Sequence, residues 1–283
     1  MPATPAEEAR AALDAAGQLP DAELDIGLVA LQFARIDAPE ADWQGARTLL
    51  SALVREAMQA ALDDTTADRG EPEPRRALLA ELLHHDRGFA GDTERYDDLA
   101  NANLIRVLER GRGLPVALGI LWLHLAEALG WEAHGVDFPG HFLIALAGPR
   151  GPLLVDVFAG GAALTAPELR ALIKRVEGPR AELRPGLLAP MTKRAVLLRL
   201  QNNIKLRRLR AGEIEAALAC AEDMLRLAPD HAGLWREAGL MRHRLEQVTA
   251  ALAAFDRALA LEPHGEAAQR IRDLADELRN RLN

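Results

Sequence analysis

The chain has almost no nucleophilic side chains. Its 283 residues include one cysteine, Cys220, and one serine, Ser51. A lone cysteine excludes an intramolecular disulfide framework and any cysteine-rich zinc site. Thiol or serine nucleophilic catalysis is thereby confined to two positions, both in stretches that read as helical. Lysine is nearly as rare, with three residues (Lys174, Lys193, Lys205) against 31 arginines. With so much alanine and leucine, this points to coding bias rather than to arginine selected for phosphate. A net charge of −8 argues against nucleic acid or an anionic membrane as partner. No window approaches 18 uninterrupted apolar residues, so no membrane span is expected. The opening MPATPAEEAR has no apolar stretch, so no signal peptide is expected and the chain is read as cytoplasmic.

The residues that are present, 49% hydrophobic and 27% charged, suit a soluble globular protein. Leu24, Leu28, Leu31 and Ile36 recur at helical spacing, and Leu49, Leu50, Leu53 and Met58 resume it after Pro39. Residues 64–74 read as a loop, 76–85 as a helix and 101–111 as another. Pro115 then suits the first turn of a helix over about 115–130 that is apolar nearly all round, the pattern of a central helix. Three short apolar runs follow, at 132–138, 141–147 and 153–158. Turn residues Pro139-Gly140 and 148–152 separate them, which predicts an antiparallel meander. A helix near 166–176 closes this part.

From Met191 onward the pattern is wholly helical. Pro229 and Pro263 are 34 residues apart, the length of one tetratricopeptide repeat. Trp235, Gly239, Ala251, Phe255, Ala258 and Pro263 fit one repeat unit. The preceding unit keeps Ala217 and Pro229 but has Gln201 and Lys205 at the Trp and Gly positions. A last amphipathic helix, 266–281, caps the array. The division expected is a helical region at 1–100, a core at 101–177, a linker at 178–190, and two repeats plus cap at 191–283. The fold class expected is α+β, mostly helical with a small antiparallel sheet.

Three blocks in the middle belong together: NANLIRVLERGRGLP (101–115), GVDFPGHF (135–142) and DVFAGG (156–161). With the repeat tail they resemble the bacterial SirB-type family, a transglutaminase-like domain followed by tetratricopeptide repeats. That resemblance implies a papain-like core in which a helix start presents a cysteine beside a His and an Asp. The thiolate attacks an amide, His takes the proton, and Asp orients the imidazole. The matching positions here are His141 and Asp156. The nucleophile position falls at Pro115 to Ala117, where no residue can act as one, and Cys220 lies in the repeats.

The His141–Asp156 pair is open to three readings: a structural brace, part of a binding pocket, or a general acid/base pair acting without a thiol. The expectation is a non-catalytic pseudoenzyme that binds a protein or peptide partner. The alternative is a hydrolase or small-molecule enzyme built on the pair. Partner contacts are expected from the first helices of the repeats, at Asn202, Asn203, Lys205, Arg208, Arg236 and Arg242, a set suited to an acidic peptide. No cofactor or metal is expected: His84-His85-Asp86 are adjacent on a helix and point apart. Arg106, Arg110 and Arg112 read as ion-paired, and Tyr96 as packed on the core helix.

Overall fold

The structure is a computed structural model that describes residues 3–64, 70–184 and 186–282. Residues 65–69 of the expected loop and residue 185 of the expected linker lie outside the described residues. The chain forms two compact units, one of residues 1–9 and 20–200, the other of 10–19 and 201–283. Residues 20–100 and the core therefore share one unit, whereas residues 10–19 belong to the other. The boundary at 200 falls inside a helix, ten residues beyond the division at 190 read from the sequence.

The helices of the first stretch are α1 (Pro5–Gly17), α2 (Ile26–Asp37), α3 (Trp43–Asp63) and α4 (Pro72–Ala80). Asp25 and Asp42 cap α2 and α3 by accepting the N–H of Leu28 and Gly45. Helix α4 starts at Pro72, earlier than the sequence suggested, because both prolines sit in its first turn, where no N–H is needed. It continues as a π-helical turn, Glu81–Asp86. Strand β1 (Ala90–Gly91) pairs in parallel with β2 (Arg112–Gly113) and brackets α5 (Leu104–Arg110). Gly111 ends α5 in the left-handed conformation.

Helix α6 (Pro115–Ala128) is buried from Pro115 to Leu123 without a break. It packs on a five-stranded antiparallel sheet of order β6-β5-β4-β3-β7. The strands are β3 (Ala133–Phe138), β4 (His141–Leu146), β5 (Leu153–Asp156), β6 (Ala162–Leu164) and β7 (Pro190–Met191). The first three are those the sequence announced. Strands β6 and β7 were not anticipated: both are short, and β7 pairs with β3, about 55 residues earlier, whereas β6 turns back on β5.

The sheet separates two helical layers. Phe142 and Ile144 lie against Gly119 of α6, where a side chain larger than hydrogen would collide with Phe142. Val136, Phe138, Leu143, Ala145 and Leu154 form the opposite face, under Leu169 and Ile173 of α7 (Ala166–Glu177). Ala181, Leu183 and Leu187 pack on that same cluster. The stretch read as a linker is thus partly a cover for the core, and its last residue, Pro190, is the first of β7.

The second unit holds the carboxy-terminal part of α8 (Lys193–Arg210), then α9 (Ile214–Leu227), α10 (Ala232–Arg244), α11 (Val248–Leu261) and α12 (Glu266–Leu282). The Trp235 indole donates to the Pro229 carbonyl at 2.8 Å, and Gly239 lets Phe255 approach its backbone. In the preceding repeat the two departures from the pattern are satisfied internally. The Cys220 thiol points at the Gln201 carbonyl at 3.6 Å, and buried Lys205 pairs with Glu237. The α+β class is as expected, and the chain is 64% helical.

Candidate functional site

His141 opens β4 directly after the Pro139-Gly140 turn, in which Gly140 has φ +65°. It faces Phe138 across the hairpin, and the β4–β5 register, Ile144 with Val155, makes Asp156 its diagonal neighbour. The imidazole Nε2 and the Asp156 carboxylate are 2.8 Å apart. The other carboxylate oxygen accepts the N–H groups of Phe158 and Ala159 at 3.0 and 3.1 Å. Asp156 therefore does two jobs: it holds His141, and it shapes the turn that leads to Gly160-Gly161.

Electrostatics follow from that geometry. The hydrogen bond to Asp156 raises the His141 pKa against the opposing pull of burial, and the Asp156 charge adds to it. Burial pushes the Asp156 carboxyl upward, but its hydrogen bond to His141, the imidazolium charge and the two N–H groups outweigh this, leaving it below the usual range. Each partner thus favours the charged form of the other, with the His side chain 23% exposed.

The helix start that would carry a nucleophile holds Pro115, Val116 and Ala117, all buried. By strand parity His141 and Asp156 share the α7 face of the sheet with Phe138 and Leu154, whereas α6 packs on the other. Ser51 is on α3, its hydroxyl donating to the Arg47 carbonyl at 3.1 Å. Cys220 is buried in the other unit.

The arginines of the first block are occupied. Arg106 pairs with Glu40 and Glu109, Arg110 with Asp92 and Asp98, and Arg112 bonds the carbonyls of Gly88 and Gly111. Tyr96 departs from expectation: it is 46% exposed and meets Phe158 edge-on rather than packing on the core helix. His84 is no metal ligand. Its Nδ1 lies 2.7 Å from the Phe89 carbonyl and its Nε2 accepts from the Trp122 indole, so both nitrogens are used. Burial lowers its pKa and keeps it neutral. His124 lies 3.2 Å from Asp25, the cap of α2.

Two buried groups escaped the sequence reading. Asn101 accepts the Leu114 N–H with its carbonyl and donates to the Arg95 carbonyl with its side chain, just ahead of α6. Asp92, also buried, accepts the Arg95 N–H and pairs with Arg110. Asn101 belongs to the first sequence block, but nothing in its spacing marks it as buried.

The expected partner-binding residues divide in two. Arg208 donates to the Ala216 carbonyl and Arg242 to the Ala250 carbonyl, the same clamp one repeat apart. Arg242 also pairs with Glu222, and Lys205 is buried against Glu237. All three make contacts within the repeats, Lys205 fully buried and the two arginines half-buried. Asn202 and Arg236 occupy equivalent half-buried positions on α8 and α10, and Asn203 is bonded by Arg207. Leu206 and Leu240, again 34 residues apart, are exposed on that helix face at 40% and 39%.

Residues 44–202 match the model of the transglutaminase-like superfamily, and 204–276 match a tetratricopeptide repeat model. A UPF0162 protein of Xylella fastidiosa is 32% identical over 190 residues, covering 66% of this chain and 68% of its own. That of Vibrio cholerae is 30% identical over 242 residues, covering 85% of this chain and 87% of its own. The Pseudomonas aeruginosa protein is 34% identical over 195 residues, covering 66% and 69%. With a transglutaminase-like core, an ordered His141–Asp156 pair and a repeat tail in the same chain, the protein belongs to the UPF0162 (SirB-type) family of the transglutaminase-like superfamily.

Proposed function

We propose that this chain is a non-catalytic, partner-binding protein in which the transglutaminase-like core serves as a scaffold and the repeats carry the contact. The observation that carries the reading is the helix start at Pro115-Val116-Ala117, which offers no group able to attack an amide. The His141–Asp156 geometry supports a brace: Asp156 is saturated by His141 and two backbone N–H groups. On the repeat side, the candidate surface is the face of α8 and α10 bearing Asn202, Leu206, Arg236 and Leu240.

The test has two arms. First, the full chain and His141→Asn are assayed on glutaminyl amide and ester substrates. The proposal expects no turnover in either, with a lowered melting temperature in the variant. Turnover that disappears in a folded His141→Asn protein establishes the hydrolase instead. Second, Leu206→Asp with Leu240→Asp is compared with the wild type in capture from bacterial lysate. A protein retained by the wild type and lost by the folded variant supports the repeat surface; equal capture by both sinks it.

A further inference from the structure

We propose that a cavity at the carboxy-terminal end of α6 is a binding site for a small amphipathic amine, a ligand with one ring or branched apolar group and a cationic nitrogen. The cavity has a volume of about 410 Å³ and lies wholly within the first unit. Pockets for small ligands begin near 300 Å³. Its walls are apolar, from Ile26, Leu123, Trp131, Met191 and Val196. Its polar groups are Glu127, Glu132, His134 and Lys193.

This cavity is separate from the His141 pair. Ala133 and His134 begin β3, whereas His141 faces Phe138 at the far end of the same hairpin. Five residues of extended strand put these ends roughly 17 Å apart. The proposal is therefore independent of whether His141 does chemistry.

The charges choose the ligand. Lys193 is fully engaged: its ammonium donates to the carbonyls of Ala22 and Leu24 and pairs with Glu127. It has no donor left for an anion. Burial depresses the His134 pKa, opposed only by the charge of Glu132, so the imidazole is neutral at pH 7. Glu132 is exposed, and among the described residues no cation pairs with it. Arg75 stacks on Trp131 at 5.4 Å but is not part of the lining. The lining thus presents an apolar floor beneath one uncompensated carboxylate. An ammonium group placed at Glu132, with its apolar substituent on Ile26, Leu123 and Val196, satisfies both.

The experiment uses the full chain and three probes that share one body and differ in charge: phenethylamine, 2-phenylethanol and phenylacetate. Ligand-observed NMR or calorimetry is expected to give phenethylamine a Kd of about 1 mM or better, with 2-phenylethanol at least about fivefold weaker and phenylacetate weaker still. Glu132→Gln, on the surface, is expected to remove the preference for the amine while leaving 2-phenylethanol binding unchanged. Ala133→Trp, which fills the cavity, is expected to abolish binding of all three. Saturable amine binding that survives both folded variants overturns the proposal. So does phenylacetate binding as tightly as phenethylamine, or no saturable amine binding at about 10 mM.

Discussion

The two ends of the β3–β4 hairpin hold opposite kinds of site. At the Phe138–His141 end, Asp156 holds His141 and accepts two backbone N–H groups. At the Ala133 end an apolar cavity sits beside the exposed carboxylate of Glu132, which pairs with no cation among the described residues. A hydrogen-bonded pair held within the fold resists change; an exposed carboxylate beside a cavity is open to a cationic ligand. The contrast separates the residues that make this chain recognisable from those free to bind.

The contrast can be broken most severely at the turn after Asp156. A side chain at Gly161 would lie 2.7 Å from the Trp122 ring, and its φ is +77°. Gly161→Val is expected to cost about 3 kcal/mol or more, the sum of left-handed strain and overpacking. The midpoint of chemical unfolding measures it, and a loss below about 1 kcal/mol would show this end to be loosely packed.

His141→Asn comes next, with an expected loss of about 1–3 kcal/mol for a partly buried, charge-assisted hydrogen bond. The loss should depend on pH. Because the His141 pKa is raised, its contribution is complete below the unfolded value and fades as pH rises through the folded one. Because the Asp156 pKa is lowered, its contribution is complete above the unfolded value and fades as pH falls through the folded one. The melting-temperature gap between wild type and variant should be widest between roughly pH 4 and 6.5 and narrow towards pH 9.

His84, midway along α6 through Trp122, should behave in the opposite sense. Its pKa is lowered, so wild-type stability falls as pH drops through the unfolded value and the unfolded chain takes up the proton. His84→Gln should lose about 1–2 kcal/mol at pH 7 and flatten the melting profile between about pH 5 and 6.5. A variant as acid-sensitive as the wild type would remove His84 from that account.

Smaller effects test whether the repeats and the cavity rim are free of such networks. Glu246 is left-handed at φ 59°, where the preceding repeat has Gly212 at φ 79°. Glu246→Gly should stabilise by about 0.5–1 kcal/mol. Glu132→Gln should change stability by less than about 0.5 kcal/mol, since it touches only the open rim; a larger change would give that carboxylate a structural role.

How much of this was legible varied with the range of the interactions. The all-round apolar run of α6, the Pro139-Gly140 hairpin and the spacing of Pro229 and Pro263 are local patterns, and they announced the central helix, three strands and the repeats. His141 and Asp156 were found through the GVDFPGHF and DVFAGG blocks, and the strand register explains why they meet. Lys205 is buried and Arg208 and Arg242 are half-buried on carbonyls, which the sequence did not show because a cation in a repeat looks alike whether it faces solvent or caps a carbonyl. The cavity had no sequence signal, since its walls come from residues as distant as Ile26 and Val196.

The sequence alone confined any thiol or serine nucleophile to Cys220 and Ser51. It also determined the order of helices and strands, because hydrophobic period and turn residues act over a few positions. Only the tertiary structure decided which charged groups are consumed and which are exposed. Burial and pairing depend on what packs opposite a side chain, and that partner stands 32 residues away for Lys205 and 66 for Lys193.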